Sequence, residues 1–236
     1  MTAEPGGSMP WILAIDTGTS EIVVAAGSLD GSVVRGFSEP AGFRHGELLL
    51  ALVDRLLAET RLGRDQLCGI VVGTGPGAFT GLRVGLATAK TMAHALGIPL
   101  VGVGTASALL RAATLDVEVG QTPESRLVLL LPAGPRDRVI VRDGQPPRIL
   151  ADAAEVERLD AARLVAVDLD GRAPEAAVTR GAAARMLLGR SLLEIGAERL
   201  RAGQDDDPER LVPDYVTLPR GIHGTSGAIE WSNDLH

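Results

Sequence analysis

Two segments near the start of the chain carry residue types that bind phosphate groups. Residues 16–20, with the sequence DTGTS, place one carboxylate and three hydroxyls in a single turn. Residues 73–85, GTGPGAFTGLRVG, follow an apolar run typical of a buried strand and precede a helical pattern. A glycine-rich turn at a helix N-terminus attracts anions through its unpaired N–H groups and the helix dipole. The candidate phosphate or turn residues are Asp16, Thr17, Gly18, Thr19, Gly75, Gly77, Thr80 and Gly81.

The glycine-rich segment has two interpretations. Its glycines and proline require a turn with positive φ and a close approach of the main chain. In the first interpretation the turn binds phosphate, and Thr80 is the N-cap of a helix over residues 82–96. In the second, the glycines only let a strand and a helix pack tightly. A short glycine motif does not by itself separate the two.

Phosphoryl transfer depends on charge placed around the phosphates, and here one side of that arrangement is missing. In the second half, the turn corresponding to residues 16–20 follows Leu131 and has the sequence Pro132-Ala133-Gly134-Pro135. It offers no acidic residue and no hydroxyl, and proline has no N–H to donate. We therefore expect no catalytic residue in this chain, and we expect Asp16 to hydrogen-bond its own turn.

No metal site and no activated nucleophile are expected. His45 begins a helical pattern, but the residue four positions later on the same face is Leu49, so this helix offers one imidazole. The single cysteine, Cys68, lies in an apolar strand pattern and is expected to be a core residue. The sequence has no G-x-S-x-G motif that would indicate a serine hydrolase.

Composition argues against a nucleic-acid or membrane surface. The 236 residues are 45% hydrophobic, and the net charge is -7, so no basic field draws the chain to nucleic acid. No segment approaches the roughly 20 apolar residues that span a bilayer. The first residues lack the Lys or Arg of a secretory signal, and one cysteine is typical of a reducing compartment. A cytoplasmic protein is expected.

Hydrophobic periodicity predicts an α/β chain with two related halves. The first half has the order strand, strand, strand, helix, strand, helix, strand, which is typical of the ribonuclease H-like or actin-like fold. Its predicted strands cover residues 11–15, 22–26, 33–37, 69–72 and 100–103, and its helices cover residues 45–60, 82–96 and 106–113. The second half resembles a reduced copy, with apolar runs at 126–131, 138–141 and 164–167, a short helix at 152–159, and helices at 178–188 and 191–201 broken near Gly189.

These patterns divide the chain into two lobes with flexible ends. The predicted divisions are a flexible N-terminus at residues 1–10, an N-terminal lobe at 11–110, a C-terminal degenerate lobe at 111–220 and a disordered tail at 221–236.

The two main helices of the first half could form an interaction surface. Leu50 and Leu57, seven residues apart, point away from the predicted buried stripe of their helix. Small residues at four-residue spacing on the 82–96 helix would let another helix approach closely. The expected interface residues are Leu50, Leu57, Arg83, Gly85, Ala89 and Ala93. The alternative is that the second lobe buries both leucines within the chain.

Three sequence blocks in fixed order resemble the TsaB (YeaZ) family: ILAIDTGTS, GPGAFTGLRVG and GIPLVGVGTASAL. The resemblance is dense from Ile12 to about Leu110 and thin afterwards. It implies a two-lobed actin-like fold and a part in making threonylcarbamoyladenosine in tRNA. Residues 132–138 depart from the family pattern, which tends to show an Asp-Ala-Arg run followed by Glu and Tyr.

The resemblance also implies how such a chain works. It would be no enzyme on its own and would bind the catalytic subunit TsaD directly through the helix pair, with TsaE in the same complex. It would form a homodimer when TsaD is absent and meet tRNA only indirectly. No cofactor is implied in this chain, and ATP at a junction shared between subunits stays open. The alternatives are an actin-like ATPase or sugar-kinase-like enzyme that uses Asp16, and a direct tRNA binder.

Overall fold

Apolar runs in each half of the chain build two β-sheets with the same internal order. The structure is a computed structural model that describes residues 10–30, 34–42, 44–115, 126–134, 137–150 and 153–215. The first sheet has the order β3-β2-β1-β4-β5 and the second β8-β7-β6-β9. The strands are β1 (Trp11–Asp16), β2 (Glu21–Ser28), β3 (Val34–Pro40), β4 (Leu67–Gly73), β5 (Leu100–Val103), β6 (Val128–Pro132), β7 (Arg138–Val141), β8 (Arg148–Leu150) and β9 (Leu164–Ala166).

The pairing shows that the second half repeats the first. β1 runs antiparallel to β2 and parallel to β4. In the same way, β6 runs antiparallel to β7 and parallel to β9. The predicted mixed α/β fold with a smaller second lobe is therefore confirmed, and β8 is a strand that the sequence analysis did not predict.

Five α-helices cover these sheets in the described part of the chain. They are α1 (His45–Thr60), α2 (Phe79–Leu96), α3 (Thr105–Thr114), α4 (Ala153–Glu157) and α5 (Glu175–Arg201). The helices α1 and α2 pack on one face of the first sheet. The helices α3 and α5 lie between the two sheets and share one hydrophobic cluster with both of them. None of the described helices combines the length and the apolar sequence that a bilayer span requires.

The long helix α5 connects the lobes. The predicted break near Gly189 is wrong, because the helix runs without interruption through that position. A Cβ at Gly189 would lie 2.9 Å from the Cβ of Ala25, so the missing side chain lets α5 lie close to β2. The burial gained at this contact outweighs the low helix propensity of glycine.

After α5 the chain returns to the first lobe. The N–H of Asp206 donates to the carbonyl of Leu100 at 2.8 Å, and the N–H of Asp214 donates to the carbonyl of Thr74 at 2.8 Å. Residues 206–214 therefore run along β5 and the glycine-rich loop. The predicted lobe division stays a prediction, and the predicted flexible N-terminus up to residue 9 and the tail at 221–236 lie outside the described residues.

The close contact between α5 and the first sheet predicts a strong effect of one methyl group. A Cβ at Gly196 would overlap the side chain of Val71. We expect Gly196→Ala to lower the free energy of unfolding by about 1–3 kcal/mol, because overpacking forces the helix away from the sheet.

Gly46 is the matched control, since it lies in α1 with no atom within 4 Å of an added Cβ. Gly46→Ala should leave stability unchanged or raise it by up to about 1 kcal/mol through helix propensity. Urea unfolding of both variants measures the difference. Equal effects would show that α5 does not depend on this close approach.

Candidate functional site

The carboxylate of Asp16 is fully buried at the carboxyl end of β1. One oxygen accepts the N–H of Gly18 at 2.8 Å, and the other accepts the hydroxyl of Thr105 at 2.6 Å. The same hydroxyl oxygen accepts the N–H of Gly75 at 3.0 Å. The prediction that Asp16 hydrogen-bonds its own turn is confirmed, and the carboxylate also connects that turn to α3 and to the glycine-rich loop.

Burial raises the pKa of the Asp16 carboxyl to about 6. Hydrogen bonds from Thr105, Gly18 and Thr19 favour the charged form and oppose this shift, and the negative charge of Asp168 adds to it. Burial outweighs the hydrogen bonds because the group has no contact with solvent.

The glycine-rich motif packs directly against the turn that follows β1. A Cβ at Gly77 would overlap the carbonyl of Gly18, and one at Gly81 would overlap the carbonyl of Thr17. The hydroxyl of Thr17 donates to the Gly81 carbonyl at 2.7 Å, and the N–H of Ala78 donates to the Gly18 carbonyl at 2.8 Å. The tight-packing interpretation therefore accounts for these glycines. Gly75 also needs to be glycine for its φ of +110°.

The predicted N-cap of α2, Thr80, is wrong. The helix begins at Phe79, the N-cap is Ala78, and no side chain caps the helix N-terminus. The first intrahelical hydrogen bond is from the N–H of Leu82 to the carbonyl of Ala78. The N–H groups of the first turn before Leu82 thus have no acceptor within the helix.

An open cleft of about 510 Å³ lies between the lobes at this point. The turn after β1, His45 and the start of α2 line its first wall. The turn after β6, which is Pro132, Ala133 and Gly134 among the described residues, lines the second wall as predicted. Asp168 and Tyr215 complete the lining.

The second lobe does contribute a carboxylate, which the sequence analysis missed. Asp168 accepts both the N–H and the hydroxyl of Ser20 at 2.6 Å. Arg185 donates to the same carboxylate at 2.6 Å and forms an ion pair with Glu21 at 2.9 Å. The signal that could have revealed Asp168 is its position after β9, which corresponds to the glycine-rich loop after β4 in the first lobe.

Three side chains form a cluster at the rim of the cleft. The guanidinium of Arg83 lies 3.8 Å from the ring centre of Phe79. It also donates to the hydroxyl of Tyr215 at 3.0 Å. The rings of Phe79 and Tyr215 are 4.8 Å apart. Arg83, a predicted interface residue, is therefore engaged within the chain, and it positions the end of the described C-terminal segment at the cleft.

Most of the predicted interface residues are not on the surface. Leu50 is exposed as predicted, with 54% of its surface open to solvent, but Leu57 is buried. The segment after α1 folds back over Leu57, and the N–H of Leu62 donates to the Leu57 carbonyl at 2.9 Å. It is therefore the first lobe that buries Leu57, rather than the second.

The small residues of α2 face this chain's own first lobe. Gly85 packs against Thr17, where a Cβ would overlap the threonine hydroxyl. Ala89 and Ala93 lie in the cluster beneath α1 and α2. Gly85, Ala89 and Ala93 are therefore buried within the first lobe rather than open to a helix from another subunit, and an interface that includes them stays a prediction.

Comparison with known proteins shows which family has this architecture. Residues 39–186 match the family model of TsaD, tRNA N6-adenosine threonylcarbamoyltransferase. The chain belongs to this family. The fold also matches YeaZ from Pseudomonas aeruginosa with a TM-score of 0.63 at 21% identity, covering 88% of this chain and 100% of that chain. The predicted actin-like fold is thereby confirmed.

Two curated relatives share higher sequence identity with this chain than the structural neighbour does. The tRNA threonylcarbamoyladenosine biosynthesis protein TsaB of Haemophilus influenzae is 33% identical over 43% of this chain and 42% of its own length. An uncharacterized protein of Mycobacterium tuberculosis is 40% identical over 50% of this chain and 52% of its own. The predicted resemblance to TsaB is confirmed, although the chain matches only about half, or less, of the length of these relatives.

Metal binding finds no support in the geometry. Among the described residues, no group of three or more His, Cys, Asp or Glu side chains could hold a metal ion. The absence of a metal site in the whole chain stays a prediction.

The raised pKa of Asp16 predicts a pH dependence of stability. The folded chain keeps a proton on Asp16 up to about pH 6, whereas the unfolded chain releases it near 3.8. Stability is therefore lost as the pH rises between these values. In Asp16→Asn this loss is absent, so the variant should gain about 3 kcal/mol relative to the natural chain across this window.

Urea unfolding of both proteins at several pH values between 3 and 8 measures this difference, which should level off above pH 6. A variant that loses stability relative to the natural chain as the pH rises would show that the hydrogen bonds outweigh burial.

Proposed function

We propose that this chain is a non-catalytic subunit of the assembly that makes threonylcarbamoyladenosine in tRNA. The observation that carries the proposal is how the turn after β1 uses its N–H groups. Gly18 donates to Asp16, and Ser20 donates to Asp168. A turn that binds the phosphates of a nucleotide needs such N–H groups free to donate to the phosphate oxygens.

The opposite wall of the cleft supports the same proposal. The described part of the turn after β6, Pro132 to Gly134, presents no hydroxyl and no carboxylate. The one carboxylate that the second lobe supplies, Asp168, is already bound to Ser20 and Arg185. Phosphoryl transfer relies on charged groups placed around the phosphates, and here those groups bind one another.

The outward face of α1 and α2 is the surface proposed for the partner. The two helices contact each other side by side. Leu50 and Ala51 on α1 and Ala87 on α2 are exposed and apolar. A partner that covers this face removes apolar surface from water. The proposed partner is TsaD, with TsaE in the same assembly, and a second copy of this chain takes the place of TsaD in its absence.

The remaining parts of the proposal follow from the resemblance to TsaB. The chain contacts tRNA only through the assembly, in keeping with its net charge of -7. It works in the cytoplasm and has no cofactor of its own for catalysis. ATP, where the assembly uses it, is bound by another subunit or at a shared junction.

Leu50→Glu tests the partner surface. A buried charge without a partner costs several kcal/mol, so we expect at least a hundredfold weaker binding to TsaD from the same organism. Co-purification and calorimetric titration measure the loss. The amount of threonylcarbamoyladenosine in tRNA should fall in cells that carry only the variant.

Met186→Glu is the matched control, since Met186 is 84% exposed on α5, away from α1 and α2. It should bind TsaD as the natural chain does. If Leu50→Glu binds TsaD normally, the face of α1 is not the interface. Loss of binding in both variants would also contradict the proposed surface.

A second experiment separates the subunit from an enzyme. The purified chain should release no phosphate from ATP above the rate of Asp16→Asn, because the carboxylates of the cleft and the N–H groups of the turn after β1 already bind one another. Turnover at an enzymatic rate that disappears in Asp16→Asn would favour the ATPase or sugar-kinase alternative and overturn the non-catalytic role.

A further inference from the structure

The first sheet has one long open edge, at β3. In the described part of the chain, β3 pairs only with β2, and its seven residues follow β2 without a shift of register. The opposite edge, at β5, is covered by Asp206. Its N–H donates to the carbonyl of Leu100, and its carboxylate accepts the N–H of Gly102. An edge without a bulge or a cover presents its main-chain groups to any strand that can pair with it.

One hydrogen bond determines which main-chain groups of β3 point outward. The N–H of Ala41 donates to the carbonyl of Ser20 at 3.2 Å, so these two residues form a hydrogen-bonded pair that continues the ladder of β2 and β3. Such pairs alternate with non-hydrogen-bonded pairs along an antiparallel ladder. The odd-numbered residues of β3 therefore direct their N–H and C=O groups toward β2, whereas Gly36 and Ser38 direct theirs outward. Pro40 also fits this pattern, because the N–H that it lacks would point outward.

The side chains along the same edge form a regular series. Phe37 lies on the face of the sheet that α1 covers, where the guanidinium of Arg55 is 4.4 Å from its ring centre. The same guanidinium forms an ion pair with Glu39 at 3.4 Å. Arg35 is exposed and shares this face, because it is two residues from Phe37. The edge therefore carries a positive, an aromatic and a negative side chain at equal spacing.

This series is complementary to itself about a two-fold axis at Phe37. When two copies of β3 lie antiparallel about that axis, Gly36 of each copy is opposite Ser38 of the other, and each such pair exchanges two main-chain hydrogen bonds. Arg35 of each copy is opposite Glu39 of the other. The two Phe37 rings meet at a non-hydrogen-bonded pair, where cross-strand side chains are closest.

The charges select this register over its neighbours. A shift by two residues in one direction places Arg35 opposite Phe37 of the other copy. The same shift in the other direction places Glu39 opposite Phe37 and brings Pro40, which has no N–H, opposite Gly36. Neither shifted register brings the two opposite charges together. Cross-strand pairs of opposite charge stabilise a sheet, so the register centred on Phe37 is favoured.

We propose that the edge of β3 binds a second copy of this chain by antiparallel pairing centred on Phe37. The pairing joins the two five-stranded sheets into one continuous sheet. It gives partners to the outward main-chain groups of Gly36 and Ser38. The edge of β3 is a different surface from the outward face of α1 and α2, so this pairing goes beyond the proposed function and does not require TsaD.

An exchange of charges tests the pairing on the full chain. The parent chain carries Leu50→Glu, so that the proposed face of α1 and α2 adds no second contact. Arg35→Glu and Glu39→Arg each place like charges opposite one another in a pair of identical copies. Each variant alone should therefore associate at least about tenfold more weakly than the parent chain. In a mixture of the two variants every opposite pair has unlike charges, so the mixed pair should recover the affinity of the parent chain.

Sedimentation velocity over a concentration series measures these affinities. Arg210→Glu is the matched control, because it makes the same change of charge on a side chain that is 89% exposed. Arg210 lies in the segment that runs along β5, at the opposite edge of the sheet. This control should associate as the parent chain does. A purely structural role of Arg35 or Glu39 would not produce recovery in the mixture.

Amide hydrogen exchange followed by NMR locates the contact in the parent chain. The outward N–H groups of Gly36 and Ser38 should exchange rapidly at low protein concentration and become protected as the concentration rises. The N–H of Phe37, which points toward β2, should be protected at both concentrations.

Three results would overturn the proposal. They are association of Arg35→Glu and Glu39→Arg equal to that of the parent chain, no recovery in the mixture, and exchange at Gly36 and Ser38 that does not depend on concentration. Because no TsaD is present, these results are independent of the partner proposal.

Discussion

The buried carboxylate of Asp16 is the constraint on which the centre of the first lobe depends. Its two oxygens bind the turn after β1 and the first residue of α3, and through Thr105 they reach the glycine-rich loop. A charged or protonated carboxyl without solvent must satisfy its hydrogen bonds within the protein. These hydrogen bonds hold the turn after β1, the start of α3 and the glycine-rich loop in one relative position. In that position Gly77 and Gly81 pack closely on the turn.

The second lobe repeats the strand order of the first in reduced form, and this repeat explains which contacts hold the two lobes together. Asp168, at the position that corresponds to the glycine-rich loop, binds Ser20 of the first lobe and Arg185 of α5. α5 itself lies in a cluster shared by both sheets. A hinge motion between the lobes would have to break this ion pair and separate a common core, and both contacts therefore oppose a change in the width of the cleft.

The proposed role as a partner subunit is consistent with how this architecture uses its carboxylates. The carboxylates of Asp16 and Asp168 are here engaged in hydrogen bonds and an ion pair within the chain. A surface whose groups are held in place before binding loses little entropy on association, which favours α1 and α2 as the proposed docking surface.

The sequence by itself determined the elements whose signals are local. The helix His45–Thr60 and the strands Leu100–Val103 and Arg138–Val141 have the predicted bounds, because apolar spacing follows the geometry of a single element. The self-bonding of Asp16 also follows from local turn chemistry. The order of these elements was enough to indicate the fold.

Only the tertiary structure decided what covers each face. Leu50 and Leu57 share a helix face in the sequence pattern, yet the segment after α1 buries one and leaves the other exposed. In the sequence pattern Gly189 resembles a helix break, but α5 continues through it, because the missing side chain lets the helix lie against β2. Asp168 acquires its importance from Ser20, a partner 148 positions away in the sequence. Spacing cannot reveal such a pair, because periodicity gives only the direction of a side chain on its own element.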